Sequence, residues 1–379
     1  MLSSYASEKY SYTDRETGAA VTRLTGWRAG SNHLYFTNNS FFDGGRRIVF
    51  ESDRGNAQNL YSLDLASGEI EQLTDLPRLP YGEWYGLLEA FVSYTAAQAC
   101  YFAGNTLYRL DIASRRSEPI YRMPDGFFHH ITSISADGKY VCTSIYENTS
   151  NRLGGSSLQD IADSKPLSRI LRIALDGSSA ETVWEDHSFI AHVNASPTDV
   201  NLLTFCHEGL WDRVDHRLWL LDLRTGTPVK LHPCQPGEII GHEYWYADGK
   251  RIGYHGRAGD RWQLGCIAAD GSEDRTWAFP FHTGHIFSQD EKMIVGDGDR
   301  EGHFLRVWRL GRDGYENPRA LCRHDSSFNR QRTHVHPRIT PDGRSVLYTS
   351  DETGYEQIYL VSVPEDLNEL PPLSSLSKI

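Results

Sequence analysis

The chain is written in short apolar runs, β-branched or aromatic, closed by turn residues, with few stretches long enough for a helix. One order recurs: an apolar strand, an Asp-Gly-type turn, a second strand, a polar loop, a Leu-Tyr-like third strand, then a D-x-x-G turn and a fourth strand. "SFFDGGRRIVFESDRGNAQNLYSLDLASGEIEQLT" (40–74) is the clearest copy. Residues 86–121 form a weaker one, and 133–184 another that carries an insertion. Residues 194–231, 244–279 and 287–321 follow, and "ITPDGRSVLYTSDETGYEQIYLVSVPED" (339–366) ends the series. Seven units of about forty to fifty residues predict an all-β fold, a seven-bladed β-propeller of four-stranded antiparallel blades. The final copy stops after its third strand. "DRETGAAVTRLT" (14–25) has the shape of "DLASGEIEQLT" (64–74), so an N-terminal strand is expected to complete the last blade, with residues 1–379 forming a single domain.

Each blade's first strand should line the central channel, so residues just upstream of its turn converge there. His130, His192, His242, His285 and His336 lie five to seven positions before Asp137, Asp199, Asp248, Asp290 and Asp342. Sixteen histidines in 379 residues allow some coincidence, and a single inner-strand histidine is more often a structural hydrogen-bonder. Five in phase, with a His-x-His pair among them, point to a site. In "FNRQRTHVHPRITPDG" (328–343), strand alternation would send His334 and His336 to one face with Val335 opposite. His285 from the preceding unit and the Gln331 carbonyl could join them. Three imidazoles and an amide oxygen without thiolate suit Mn, Fe, Ni or Zn, with the amide favouring Mn²⁺.

Composition narrows the function. Net charge is −12 with a pI near 5.7, which argues against a nucleic-acid surface while leaving room for a local anion pocket. The N-terminal stretch has no apolar h-region, and no run approaches eighteen apolar residues, so no membrane partner is expected. Six cysteines without CxxC spacing read as reduced thiols, and the cytoplasm is the default compartment.

"CHEGLWDRVDHR" (206–217) lacks the second histidine of a zinc-protease helix and sits inside a strand–loop–strand unit. His207 there is read either as half of a loop-anchoring pair with Glu208 or, with Arg217, as part of the rim of the site. "GGSSL" (154–158) is a loop rather than a nucleophile elbow, and the acidic residues sit mostly in turns rather than in a glycosidase pair. Trp84, Tyr85, Tyr244 and Trp245 are candidates for stacking on sugars, and Arg330 and Arg332 for bidentate carboxylate binding.

"FCHEG…VDHRLW", "GHEYW", "GHIFS…VGDG" and "RQRTHVHPRITPDG…VLYTSD…IYLVSVPED" together resemble the oligogalacturonate lyases, a seven-bladed-propeller polysaccharide lyase family; the resemblance is strongest over 200–366. It implies Mn²⁺ held by His285, Gln331, His334 and His336, with His242 as the catalytic base. It also implies cytoplasmic β-elimination on short oligogalacturonides, acidic oligosaccharides derived from pectin. Residues 147–166 do not align with the family, His33 only loosely matches a family histidine, and Arg332 is not a family residue. A lyase acting on a different uronate, and a non-catalytic interaction propeller of the TolB-like kind, are the alternatives.

Overall fold

The computed structural model describes residues 2–80, 83–150, 157–279, 281–299 and 302–376. Among them there are seven antiparallel sheets and one α-helix, the all-β, seven-bladed propeller class that the repeats predict. The chain divides into two compact units. One comprises residues 1–36, 40–88 and 279–379, and the other residues 37–39 and 89–278.

In the middle unit, residues 37–39 and 89–278, each sheet is a four-stranded meander. An example is Ile190–Ala195, Leu202–His207, Leu218–Asp222 and Thr227–Lys230. The first two strands of each meander are buried on both faces over most of their length, which is why they read as apolar runs rather than as clean alternation. Between neighbouring sheets side chains interdigitate, as where Phe102 and Leu107 meet Ile134, Val141 and Leu171 in one core and Cys142 and Ile170 meet Val193, Leu203 and Phe205 in another. The outermost strands, such as Ala180–His187, are mostly exposed.

The other unit holds the sheet made from both chain ends. Ala20–Arg23 pairs antiparallel with Gln357–Ser362, with Val21 opposite Val361, as the repeat arithmetic predicts. The strand is shorter than the 14–25 segment, because Asp14 caps the turn ahead of it by accepting from Glu16, Thr17 and Gly18. A further strand, Tyr10–Thr13, adds outside it, and Ser4–Tyr5 pairs with Ile70–Gln72 in the first sheet. The single α-helix, Leu158–Asp163, lies in the insertion of the third repeat, where a loop is expected; a Ser157/Asp160 capping box starts it. Residues 154–156 of that stretch lie outside the described residues.

Candidate metal and catalytic centre

Within the unit formed by the chain ends, three histidines converge. His285 immediately precedes the strand Ile286–Ser288, and Asp297 lies across the hairpin in the register set by Ile286 opposite Gly296. Asp297 accepts from the His285 backbone N–H at 2.8 Å and lies 2.7 Å from His285 Nδ1. A carboxylate on one ring nitrogen fixes the tautomer and the ring's orientation. Burial pushes the Asp297 carboxyl up, but the His285 imidazole and its hydrogen bonds outweigh that and hold it below the ordinary range.

His334 and His336 do not lie on a regular strand. Gln331–Thr333 is a 3₁₀ turn, His334 is extended (φ −73°, ψ 143°), and His336 is left-handed at φ 49°, two residues ahead of the strand Arg338–Ile339. Val335 is fully buried between them, and its carbonyl accepts from Thr349 N–H. His33 holds the kink: its Nε2 lies 2.7 Å from the His336 carbonyl and its Nδ1 2.8 Å from Thr349 Oγ1. Both its nitrogens are thereby engaged, so His33 is a brace rather than a ligand.

One nitrogen from each of His285, His334 and His336 lies within 4.8 Å of the others. The Gln331 amide sits 3.1 Å from His336 Nε2, so a half-turn would bring its oxygen to the same place. Phe36 packs on His285 and His336, and Phe328 on His334. Burial, then the neighbouring His285, brings His334 down to about 4, and the same causes with His334 added push His336 well below its usual value. Neutral imidazoles are what a metal requires, because no proton must leave first. His334 Nδ1 is buried with no hydrogen-bond partner in the protein. A buried, unpartnered nitrogen of His334 within a three-histidine cluster fits a borderline divalent ion.

In the middle unit, His242 sits in the strand Glu238–Trp245 where the register slips between Gly241 and Tyr244, again left-handed at φ 51°. Its ring stacks on His255 at 5.2 Å and meets Trp211 edge-on at 5.0 Å. Gly241 permits this, since a Cβ there would lie 2.4 Å from the Trp211 indole. Beside it, Arg217 is 2% exposed, with Nη1 2.7 Å from Glu208 Oε1 and Nε 3.4 Å from Glu243 Oε2. Burial pushes the Glu208 carboxyl up, but Arg217, and then His192 at 3.1 Å, leave it well below the carboxylate range. His207 is buried with Nδ1 2.7 Å from Asp215, an anchoring pair with Asp215 rather than with Glu208.

Tyr244 corrects a sequence expectation: it is 2% exposed, with its ring over Gly253, and offers a sugar no face. Trp245 is likewise buried and donates to the Asn194 carbonyl, and Tyr85 is buried. Arg330 is exposed, and Arg332 is tied to Glu51 at 3.2 Å. The residues that sequence reasoning missed are Asp297, Trp211 and His255. Asp297 was detectable, because its hairpin turn sets residue 297 opposite residue 285.

A family model described as oligogalacturonate lyase matches residues 4–367. The chain is 29% identical to an oligogalacturonide lyase of Pectobacterium atrosepticum and 27% identical to an oligogalacturonate lyase of Dickeya dadantii. Each of these matches covers 94% of this chain and 97% of the relative. A solved structure, an oligogalacturonate lyase in complex with manganese, superposes with a TM-score of 0.86 at 26% identity, covering 97% of this chain and 99% of that one.

Proposed function

The chain belongs to the oligogalacturonate lyase family and is therefore a lyase acting on polysaccharide, and from that premise we propose that it cleaves short oligogalacturonides by metal-dependent β-elimination. The observation that carries the reading is the cluster of His285, His334 and His336, one nitrogen of each lying within 4.8 Å of the others. These three and Gln331 would hold the ion, with Mn²⁺ preferred for its amide tolerance and because a structural relative is described in complex with manganese. When bound, the ion supplies positive charge to the uronate carboxylate, making the adjacent C5 hydrogen more acidic.

The remaining work belongs to the side chains. His242 accepts the C5 proton, the C–H electrons form the C4=C5 double bond, and the C4–O bond breaks; the departing oxygen keeps the bonding pair and takes up a proton to become the C1 hydroxyl of the released sugar, so no water is consumed. General-base action of this kind contributes roughly 10²–10⁴-fold. The cage of Trp211 and His255 restricts the His242 ring to one orientation. Arg217, neutralised by two glutamates, braces the segment that carries His242, and His207 anchors its neighbour strand. Arg330, exposed one residue before Gln331, is the carboxylate contact. We place the reaction in the cytoplasm, where six unpaired cysteines are at home. Among the described residues no helix is long and apolar enough to cross a membrane.

The test is incubation with digalacturonate and trigalacturonate while following the absorbance of the new double bond, with and without chelator. Chelator-sensitive absorbance that Mn²⁺ restores is expected, and a His242→Ala protein should keep its metal and lose at least a hundredfold in turnover. New reducing ends without the absorbance would make the enzyme a hydrolase.

A further inference from the structure

We propose that Trp84 is a stacking platform for a uronate ring lying outside the cleaved pair of sugars, an outer subsite that sets chain-length preference. The proposal rests on the lyase reading above for its ligand. Trp84 is 51% exposed, so one face of its ring is open to a ligand, and what sets it apart from other exposed rings is the cation held against it. Its backbone is nevertheless fixed. The next residue, Tyr85, is buried, its N–H donates to Gln58 Oε1 at 2.8 Å, and its hydroxyl donates to the Pro77 carbonyl at 2.8 Å.

The ring is fixed as well, from below. The Arg332 guanidinium lies 4.5 Å from the Trp84 ring centroid. Arg332 is held in turn by Glu51, which is 1% exposed, at 3.2 Å. The Asn32 amide, turned to suit its partners, completes the clamp: its oxygen accepts from Arg332 Nε and Nη2 at 3.2 Å, and its NH₂ donates to the Arg332 carbonyl at 2.6 Å. Burial pushes the Glu51 carboxyl up, with Arg332 opposing it. A guanidinium anchored this way stays beneath the indole and biases the ring toward the stacked orientation, which lowers the rotamer freedom lost on binding.

The chemistry of the clamp selects the ligand. An aromatic face is negative at its centre and repels an anion placed over it. A cation against the opposite face offsets that repulsion. An indole backed by arginine is therefore suited to an acidic sugar, whose apolar C–H face stacks while its carboxylate stays near. Position agrees with the assignment. Arg332 is the residue after Gln331, on the same 3₁₀ turn, so the cation that backs the platform sits on the segment that carries Gln331, His334 and His336, and Trp84 and His285 belong to the same compact unit.

The test compares wild type with Trp84→Ala and Trp84→Phe on digalacturonate and trigalacturonate. One stacked ring predicts that the trimer-over-dimer ratio of kcat/KM falls about five- to tenfold in Trp84→Ala, mainly through KM, with Trp84→Phe recovering most of it. Melting temperatures confirm that each variant is folded. Calorimetry with trigalacturonate on the metal-loaded His242→Ala background, with and without Trp84→Ala, should show matching weakening. An unchanged ratio, or trimer binding of equal strength in the two backgrounds, overturns the subsite. If wild type turns over neither substrate, the lyase reading fails by itself, and calorimetry alone decides the platform.

Discussion

A non-glycine residue with positive φ is uncommon, and this chain places a histidine in that conformation three times at one phase of its repeat. His192, His242 and His336 have φ of 50°, 51° and 49°. Histidine is among the few side chains that tolerate the left-handed region, and each use carries a strain of order 1–3 kcal/mol. At His192 and His242 the ladder register slips around the same residues, so the kink re-aims a side chain that alternation would send elsewhere. Sequence spacing revealed the phase but not the kink, since nothing in the order of residues around His336 distinguishes an extended from a left-handed backbone. His285 depends on a different device, the buried Asp297 carboxylate. Asp297→Asn keeps the shape and one acceptor, but it sets its NH₂ against one of the two His285 donors and removes the charge that raises imidazole basicity. We expect Mn²⁺ affinity to drop about 10–100-fold by calorimetric titration of folded protein, because partners of ligating histidines contribute on that scale. Affinity equal to wild type would remove Asp297 from the ligand design.

Strands were legible where both their faces are buried, and least legible where they are short and polar. Ala20–Arg23 could be found because its alternation and its Thr-Gly turn repeat those of residues 64–74, whereas Ser4–Tyr5, two polar-flanked residues on an edge, carries no periodicity to read. The helix Leu158–Asp163 escaped for the opposite reason. Six residues are too few for a 3.6 period, and only the Ser157/Asp160 cap marks it. Closing a sheet with strands from both ends of the chain makes the N-terminal strand structural. Val21 is 1% exposed and packs opposite Val361, while Leu24 enters the core formed with Phe50, Tyr61, Leu347 and Ile358. Val21→Asp would bury an unpaired carboxylate there and free the edge of Gln357–Ser362 for intermolecular pairing. The expected outcome is aggregation on expression, or a melting temperature many degrees lower. A monodisperse protein of unchanged melting temperature would show that the strand is dispensable.

At the scale of the whole molecule, charge and substrate oppose one another. The chain carries a net −12, and the proposed substrate is an oligoanion, so long-range attraction cannot bring the two together. Binding must come from cations at short range, which gives the metal ion and the arginines on the Gln331 segment more weight than pocket shape. The same ion should report on folding. Its four proposed ligands come from residues 285 and 331–336, two segments separated by more than forty residues that only the folded chain brings within 4.8 Å. An ion bound by the native state and scarcely by the unfolded one stabilises by RT ln(1 + [L]/Kd), about 2.7 kcal/mol at a hundredfold excess over Kd. Scanning calorimetry of chelator-treated protein should therefore show a melting temperature that climbs with Mn²⁺ concentration by several degrees. His336→Ala should abolish the climb, while His242→Ala, which removes no ligand, should preserve it. A melting temperature indifferent to Mn²⁺ in the wild-type protein would mean that the histidines meet without an ion, and a rise that survives His336→Ala would place the ion elsewhere.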